Sequence, residues 1–106
     1  MKRQAITDGN GQWFDIDKAE VFKEETDWNG SNHISRATGS QFDHEFLYMT
    51  KSGKFILNRF SDYQGRGESY ILLSKEEAAE WFASQSFSDE VIPDVFKQEI
   101  AHLEIG

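Results

Sequence analysis

The stretch FDHEFLYMTKSGKFILNRFS, residues 42–61, predicts the centre of the fold. In residues 42–50, Phe46 and Tyr48 alternate with Leu47 and Met49, so both faces of a strand would be apolar. Such a strand is typical of the middle of a sheet. Residues 51–53, Lys-Ser-Gly, have turn chemistry, and residues 54–61 return as a second strand. The stretch therefore predicts a central antiparallel hairpin.

Further strands flank this hairpin on both sides in the chain. Residues 68–73 continue the meander as a third member. Residues 4–7 and 12–16 predict a smaller hairpin, because the intervening Asp-Gly-Asn-Gly tolerates the positive φ of a tight turn. Residues 33–38 are a modest strand candidate that ends at Gly39-Ser40.

Three segments predict helices. Residues 74–85 have Ser74 as N-cap and Glu77 three positions on, which is a capping box. The last helix begins near Pro93, since proline is favoured in the first helical turn. Residues 17–26 also favour a short helix, with Asp17 as N-cap and Glu20 as its capping-box partner.

These elements predict a single α+β domain over residues 1–106, with an antiparallel meander sheet packed on one face by short helices. The predicted order is β-β-α-β-β-β-β-α-α. The predicted core consists of Phe46, Leu47, Tyr48, Phe55, Leu57, Ile71, Leu73, Trp81, Phe82, Phe96 and Ile100.

The charge of −8 is unevenly spread along the chain. Residues 1–50 carry 9 acids and 5 bases, residues 51–73 carry 2 acids and 4 bases, and residues 74–106 carry 8 acids and 2 bases. Such a chain should repel nucleic acid as a whole. The acidity serves solubility, or it forms a face that meets a protein partner with a basic surface.

Several classes of function are disfavoured by what the sequence lacks. There is no cysteine, which excludes disulfides, thiol catalysis and cysteine-ligated metals and fits a reducing cytoplasm. We expect no secretory signal, because the basic start has no apolar region behind it. No apolar run approaches the roughly 18 residues of a membrane span. We predict no cofactor and no metal.

Four short motifs carry a resemblance. They are GQWF at residues 11–14, WNGSN at 28–32, SDYQGRGESY at 61–70 and EEAAEW at 76–81. Together they resemble a group of small uncharacterised bacterial and mobile-element proteins with the pattern G-x-W-F, W-N-G-S-N, S-x-[WY]-Q-G-x-x-E-x-Y and E-E-A-A-x-W. Tyr63 stands where that pattern more often has tryptophan. The resemblance implies a compact domain and brings no established activity.

The segment FSDYQGRGESY, residues 60–70, is the main candidate site. Its two glycines suit a turn of unusual φ, and a hairpin loop with a solvated arginine is one interpretation. The other is a recognition loop, because arginine and tyrosine are favoured anchors at protein interfaces. The candidate binding residues in this second interpretation are Arg59, Tyr63, Gln64, Arg66, Glu68 and Tyr70, with Trp28 from the polar WNGSN loop.

His44 lies between Asp43 and Glu45 and could hold a metal or act as a base. However, strand alternation would place both neighbouring carboxylates on the opposite face from His44, and no metal-ligand spacing is present. We therefore favour a satisfied histidine and no catalytic residue.

The leading hypothesis is a small acidic, non-enzymatic binding module of the bacterial cytoplasm. It would inhibit or regulate a larger nucleic-acid-handling protein, in the manner of an anti-CRISPR protein or an antitoxin. The alternative is a small-ligand-binding protein or an enzyme that uses the loop of residues 63–70 with Arg36 or Arg59. A third possibility, single-strand binding by exposed aromatic residues, is opposed by the overall charge.

Overall fold

A computed structural model of the chain describes residues 1–7, 9–40, 42–62, 67–85 and 92–105. The strands are β1 (Arg3–Ala5), β2 (Trp13–Asp15), β3 (Glu20–Lys23), β4 (Thr26–Trp28), β5 (His33–Ser35), β6 (Asp43–Met49), β7 (Phe55–Ser61) and β8 (Ser69–Leu73). The helices are α1 (Lys75–Ala83), a 3₁₀ turn (Asp94–Phe96) and α2 (Lys97–His102).

The main sheet has the strand order β3-β6-β7-β8, and all of its pairs are antiparallel. The strands β6, β7 and β8 form the predicted meander, with Leu47 opposite Leu57 and Leu57 opposite Ile71. Two small antiparallel pairs, β1-β2 and β4-β5, lie outside this sheet. The α+β class with a meander sheet is therefore confirmed.

One face of the main sheet, the helix face, is covered by α1, the 3₁₀ turn and α2. Phe82 is fully buried here, and its ring lies 4.9 Å from Phe22 and 5.0 Å from Phe96 between centroids. Leu47 and Leu57 complete this cluster from the two central strands. The helices pack on one face, as the sequence predicts.

The opposite face, the hairpin face, is covered by the N-terminal β1-β2 hairpin. Phe14 packs against Ile56, Tyr48 and Tyr70, with ring centroids 5.6 Å from Tyr48 and 6.0 Å from Tyr70. Thr7 ties the hairpin to β8, because its N–H donates to the Tyr70 carbonyl at 2.7 Å. The sheet is thus buried on both faces, in agreement with the two-faced apolar pattern of β6.

The helix predicted at residues 17–26 is wrong. Asp15 accepts the Asp17 N–H at 3.2 Å and so stabilises a turn, after which β3 pairs with β6 along the sheet edge. Ala19 packs into the cluster of the hairpin face and Phe22 into that of the helix face. A single helix could not place these two residues on opposite sides of the sheet, so pairing with β6 overrides local helix propensity.

The predicted core is confirmed for Leu47, Phe55, Leu57, Trp81, Phe82 and Phe96, which are buried. Phe46, Tyr48, Leu73 and Ile100 are only partly buried. Ile71 is 39% exposed and its placement in the core is wrong, because it lies on β8 at the edge of the sheet. Phe14, Phe22, Ile56 and Tyr70 are buried in addition.

The capping box of α1 is present as predicted. Ser74 Oγ accepts the Glu77 N–H at 3.1 Å, and Glu77 Oε1 accepts the Ser74 N–H at 3.0 Å. The 3₁₀ turn follows Pro93, in agreement with the predicted start of the last helix. Within the described ranges, no helix combines the length and the apolar character needed to cross a membrane.

Candidate functional site

The helices leave one end of the helix face open, where β6 begins and β7 ends. An open cleft of about 500 Å³ lies there, the open-end cleft, and Phe60, Ser61, Gly67 and Ser69 of the candidate segment line it. Polar residues dominate its lining, with Thr38, Asp43, Glu45, Arg59, Ser61 and Ser69 among them. Predicted site residue Arg59 therefore lies in a concave surface.

The centre of this cleft is an ion pair across neighbouring strands. Glu45 and Arg59 are directly opposite each other in β6 and β7, and the Arg59 Nε donates to Glu45 Oε2 at 2.8 Å. The Glu45 carboxylate is buried, whereas the Arg59 side chain is more than half exposed. Glu45 thus holds the Arg59 guanidinium in place. The outer face of the guanidinium remains accessible to a ligand.

Glu24 connects this pair to His44 on the other face of the sheet. One of its carboxylate oxygens accepts the Glu45 backbone N–H, and the other lies 2.7 Å from His44 Nδ1. The second ring nitrogen, Nε2, lies 2.9 Å from Asp62 Oδ2. His44 therefore bridges the end of β3 and the end of β7, next to the candidate loop. We call Glu24, His44 and Asp62 the histidine bridge.

The electrostatics of the histidine bridge favour the charged imidazolium. Partial burial lowers the pKa of His44, but hydrogen bonds and negative charge from Glu24 and Asp62 outweigh it, so the pKa is raised overall. An imidazolium donates from both nitrogens, which is the arrangement that two carboxylates require. The role is structural, since both nitrogens are engaged.

The raised pKa of His44 predicts a testable dependence of folding stability on pH. A group whose pKa is higher in the folded than in the unfolded state stabilises the fold fully below its unfolded value of about 6.5 and loses this contribution as pH rises through the folded value. We expect the free energy of unfolding to fall as pH rises above about 6.5 and through the raised pKa of His44. Urea unfolding at several pH values would measure this.

The matched control is His44→Gln, which keeps a polar side chain without titration in this range. Its stability should vary less over the same pH interval than that of the wild-type chain. Parallel pH profiles of the two proteins would show that other groups dominate.

Trp28 is 61% exposed on the small β4-β5 hairpin, the tryptophan hairpin (residues 26–35). Its ring contacts His33 directly across the pair, with centroids 5.0 Å apart. Asn29 Oδ1 accepts the N–H groups of Ser31 and Asn32 at 2.9 and 2.8 Å, and Gly30 supplies the positive φ of the turn. The hairpin therefore holds an exposed indole in a defined position.

The tryptophan hairpin is anchored to the main body at its base. Glu25 donates its N–H to Gln85 Oε1 at the end of α1, at 2.9 Å, and the Arg36 N–H donates to the Glu25 carbonyl. The Arg36 side chain pairs with Asp27 at 2.9 Å. Arg36, suggested as a partner of the candidate loop, thus serves the tryptophan hairpin.

The remaining candidate residues divide into three groups. Tyr63, Gln64 and Arg66 lie outside the described residues. Glu68 is exposed, and one of its oxygens lies 3.4 Å from Asn58 Nδ2. Tyr70 is buried in the cluster of the hairpin face, and burial together with the charge of Glu68 raises its pKa to about 12. Its placement favours packing rather than ligand contact.

Sequence reasoning missed Glu24 and Asp62. Glu24 falls within the segment predicted as a helix, and its side chain is only 4% exposed. The separation of His44 from the side chains of Asp43 and Glu45 is confirmed by the strand register. Among the described residues, no three histidine or acidic side chains are grouped in a way that could hold a metal ion.

A scan against models of protein families, a search of curated proteins and a search of solved structures each found no match.

Proposed function

We propose that the protein is a small acidic, non-enzymatic binding module of the cytoplasm that inhibits or regulates a larger nucleic-acid-handling protein by covering a basic surface. The observation that carries the proposal is the exposed Trp28 on a shaped hairpin. An exposed tryptophan held by its own hydrogen-bonded turn is a favoured interface anchor, because it offers a large contact area at a small cost in conformational entropy.

The surroundings of Trp28 support a partner with a basic surface. Asp27 precedes it with an exposed side chain, and the contact of Glu25 with Gln85 places the base of the hairpin beside the end of α1. That helix exposes Glu80 and, in its first turn at the far end, Glu76 and Glu77. Negative charge near an aromatic anchor steers a positively charged partner and speeds its association.

The test is affinity capture from the native host, followed by binding measurements with the purified partner. We expect Trp28→Ala to fold normally, because its ring is largely exposed, and to weaken binding by roughly 2 kcal/mol or more, which is about 30-fold. We also expect affinity to fall as salt is raised. The control Leu103→Ala removes another exposed apolar side chain, and it should leave affinity unchanged.

Two results would contradict this proposal. One is a Trp28→Ala variant that binds the partner at full strength. The other is a partner that presents an acidic rather than a basic surface.

A second candidate, a small-ligand-binding protein or an enzyme, is favoured by the open-end cleft. There the half-exposed Arg59 guanidinium lies among the hydroxyl-bearing residues Thr38, Ser61 and Ser69. These groups suit a small anion. Titration with phosphate and acetate, followed through the Arg59 Nε resonance in the wild-type chain and lost in Arg59→Gln, would favour this candidate over the binding module.

A further inference from the structure

A second concave surface lies between the N-terminal hairpin and the β6-β7 turn, away from the open-end cleft. This groove of about 500 Å³ has an apolar floor that includes Trp13, Ile56 and Leu72, and a rim that carries Lys18, Lys51 and Lys54. We call it the lysine-rimmed groove. On a chain with a net charge of −8, three lysines against one carboxylate, that of Asp15, form a local exception in charge.

The apolar floor is exposed and held in place. Trp13 is 45% exposed, and the Arg3 guanidinium lies 4.7 Å above its ring centroid, a cation–π contact that orients the indole. Leu72 is also exposed, whereas Ile56, its cross-strand partner in β7, is buried. Exposed apolar side chains that adjoin one another on a surface are typical of an interaction site.

The backbone turn that carries Lys51 and Lys54 is held by hydrogen bonds. Lys51 and Lys54 belong to a turn in which the Thr50 N–H donates to the Lys54 carbonyl at 2.9 Å and the Lys54 N–H donates to Thr50 Oγ1 at 3.0 Å. Gly53 has the φ of +83° that this turn requires. Among the described residues, neither Lys51 nor Lys54 has a carboxylate within ion-pair distance, whereas Lys18 pairs with Asp15, which also lines the groove, at 3.9 Å. Lys51 and Lys54 are thus exposed cations without a carboxylate partner among the described residues, and such cations favour an anionic ligand.

The edge of β8 beside the groove suits an extended ligand. The backbone N–H and C=O of Tyr70 bond to Thr7, so they point away from β7. In an antiparallel strand, the backbone groups of Leu72, two residues on, point the same way. A segment that lies along this edge could therefore pair with Leu72 and place alternate side chains on the apolar floor.

We propose that the lysine-rimmed groove binds an extended acidic peptide segment of a partner protein, with an aromatic or aliphatic side chain on Trp13 and Leu72 and carboxylates on the lysines. The groove is open, whereas pockets for small apolar ligands bury most of the ligand surface. A long polyanion such as nucleic acid meets the repulsion of the whole chain. This site is independent of the tryptophan hairpin and has the opposite charge.

The experiment uses the ¹⁵N-labelled full chain and three blocked heptapeptides. The first, Glu-Leu-Glu-Phe-Glu-Leu-Glu, is the acidic probe, and its counterparts carry glutamine or lysine in place of every glutamate. We expect the acidic peptide to shift the Trp13 indole and the amides of Lys51, Lys54 and Leu72. The glutamine peptide should bind at least about tenfold more weakly, and the lysine peptide should not bind.

Matched variants then assign the contacts. Two variants should each lower the affinity for the acidic peptide by at least about tenfold. They are Trp13→Ala and the double change of Lys51→Glu with Lys54→Glu. Lys23→Glu reverses an exposed charge on β3, outside the groove, and Trp28→Ala removes the anchor of the proposed function. Both should bind the peptide as the wild-type chain does.

Several outcomes would overturn the proposal. Shifts centred on α1 or on the tryptophan hairpin would place the site elsewhere. Equal binding of the acidic and glutamine peptides would remove the role of the lysines. If no amide or indole resonance shifts up to about millimolar peptide, an acidic peptide is not what the groove binds. A concentration-dependent dimer abolished by the double lysine change would make a second copy of the chain the occupant instead.

Discussion

Replacing Phe82 with alanine is expected to lower the free energy of unfolding by about 3–5 kcal/mol, the range measured for large buried aromatic residues. Phe82 is fully buried, and its ring contacts Phe22 of β3, Trp81 of α1 and Phe96 of the 3₁₀ turn. Its loss would leave a cavity where the sheet and both helical segments meet. Total stabilities of small domains are about 5–15 kcal/mol, so the variant should be largely destabilised.

The matched control for Phe82→Ala is Ile71→Ala. Ile71 belongs to the core predicted from the sequence, but it is exposed in the structure. Its replacement should cost about 1 kcal/mol or less. Urea unfolding of both variants would measure the difference. Equal losses would show that α1 does not pack on the helix face as described.

The central strands and α1 were predictable because their signals are local. Residues of β6 alternate between two apolar faces, and this pattern has few other structural solutions. Ser74 and Glu77 satisfy each other's backbone groups within one helical turn, so the start of α1 is encoded in four consecutive residues. Neither feature depends on a distant part of the chain.

The error at residues 17–26 has a non-local cause. Ala19 and Phe22 are three residues apart, which fits one face of a helix equally well. The choice of strand depends on β6, whose pairing residues lie 23 to 29 positions further along the chain. A four-residue strand carries little periodicity of its own, so sequence reasoning favoured the capping signal of Asp17. The strand forms because the edge of β6 is available.

The candidate site shows the same contrast between features with a local sequence signal and features that depend on distant residues. Trp28 was identified from its polar surroundings, which local sequence displays, and its ring is exposed. The histidine bridge was not, because Glu24 and Asp62 lie 20 and 18 residues from His44. Only the pairing of β3 and β7 with the two edges of β6 brings Glu24 and Asp62 to one imidazole ring. Acidic side chains are abundant here, so no single carboxylate stands out in the sequence.

The second large effect is expected at Glu24. Its buried carboxylate accepts the Glu45 N–H with one oxygen and engages His44 with the other. Hydrogen bonds to charged groups contribute about 1.5–3 kcal/mol each, and a buried donor left without an acceptor adds a desolvation cost. We expect Glu24→Ala to lower the free energy of unfolding by about 3 kcal/mol, measured by urea unfolding near neutral pH.

The matched control is Asp62→Ala, because Asp62 holds the other ring nitrogen of His44 but its side chain is 63% exposed. Exposed ion pairs are worth about 1 kcal/mol or less, so this variant should remain close to the wild-type chain in stability. Both changes remove one acceptor from His44 and should therefore lower its pKa, which an NMR titration of the ring would report. The two variants would then share a change in the pKa of His44 and differ in stability, and that difference measures what Glu24 contributes through the backbone of Glu45. Equal stabilities would mean that the bond to Glu45 adds nothing, and that Glu24 acts on the fold only through the imidazole.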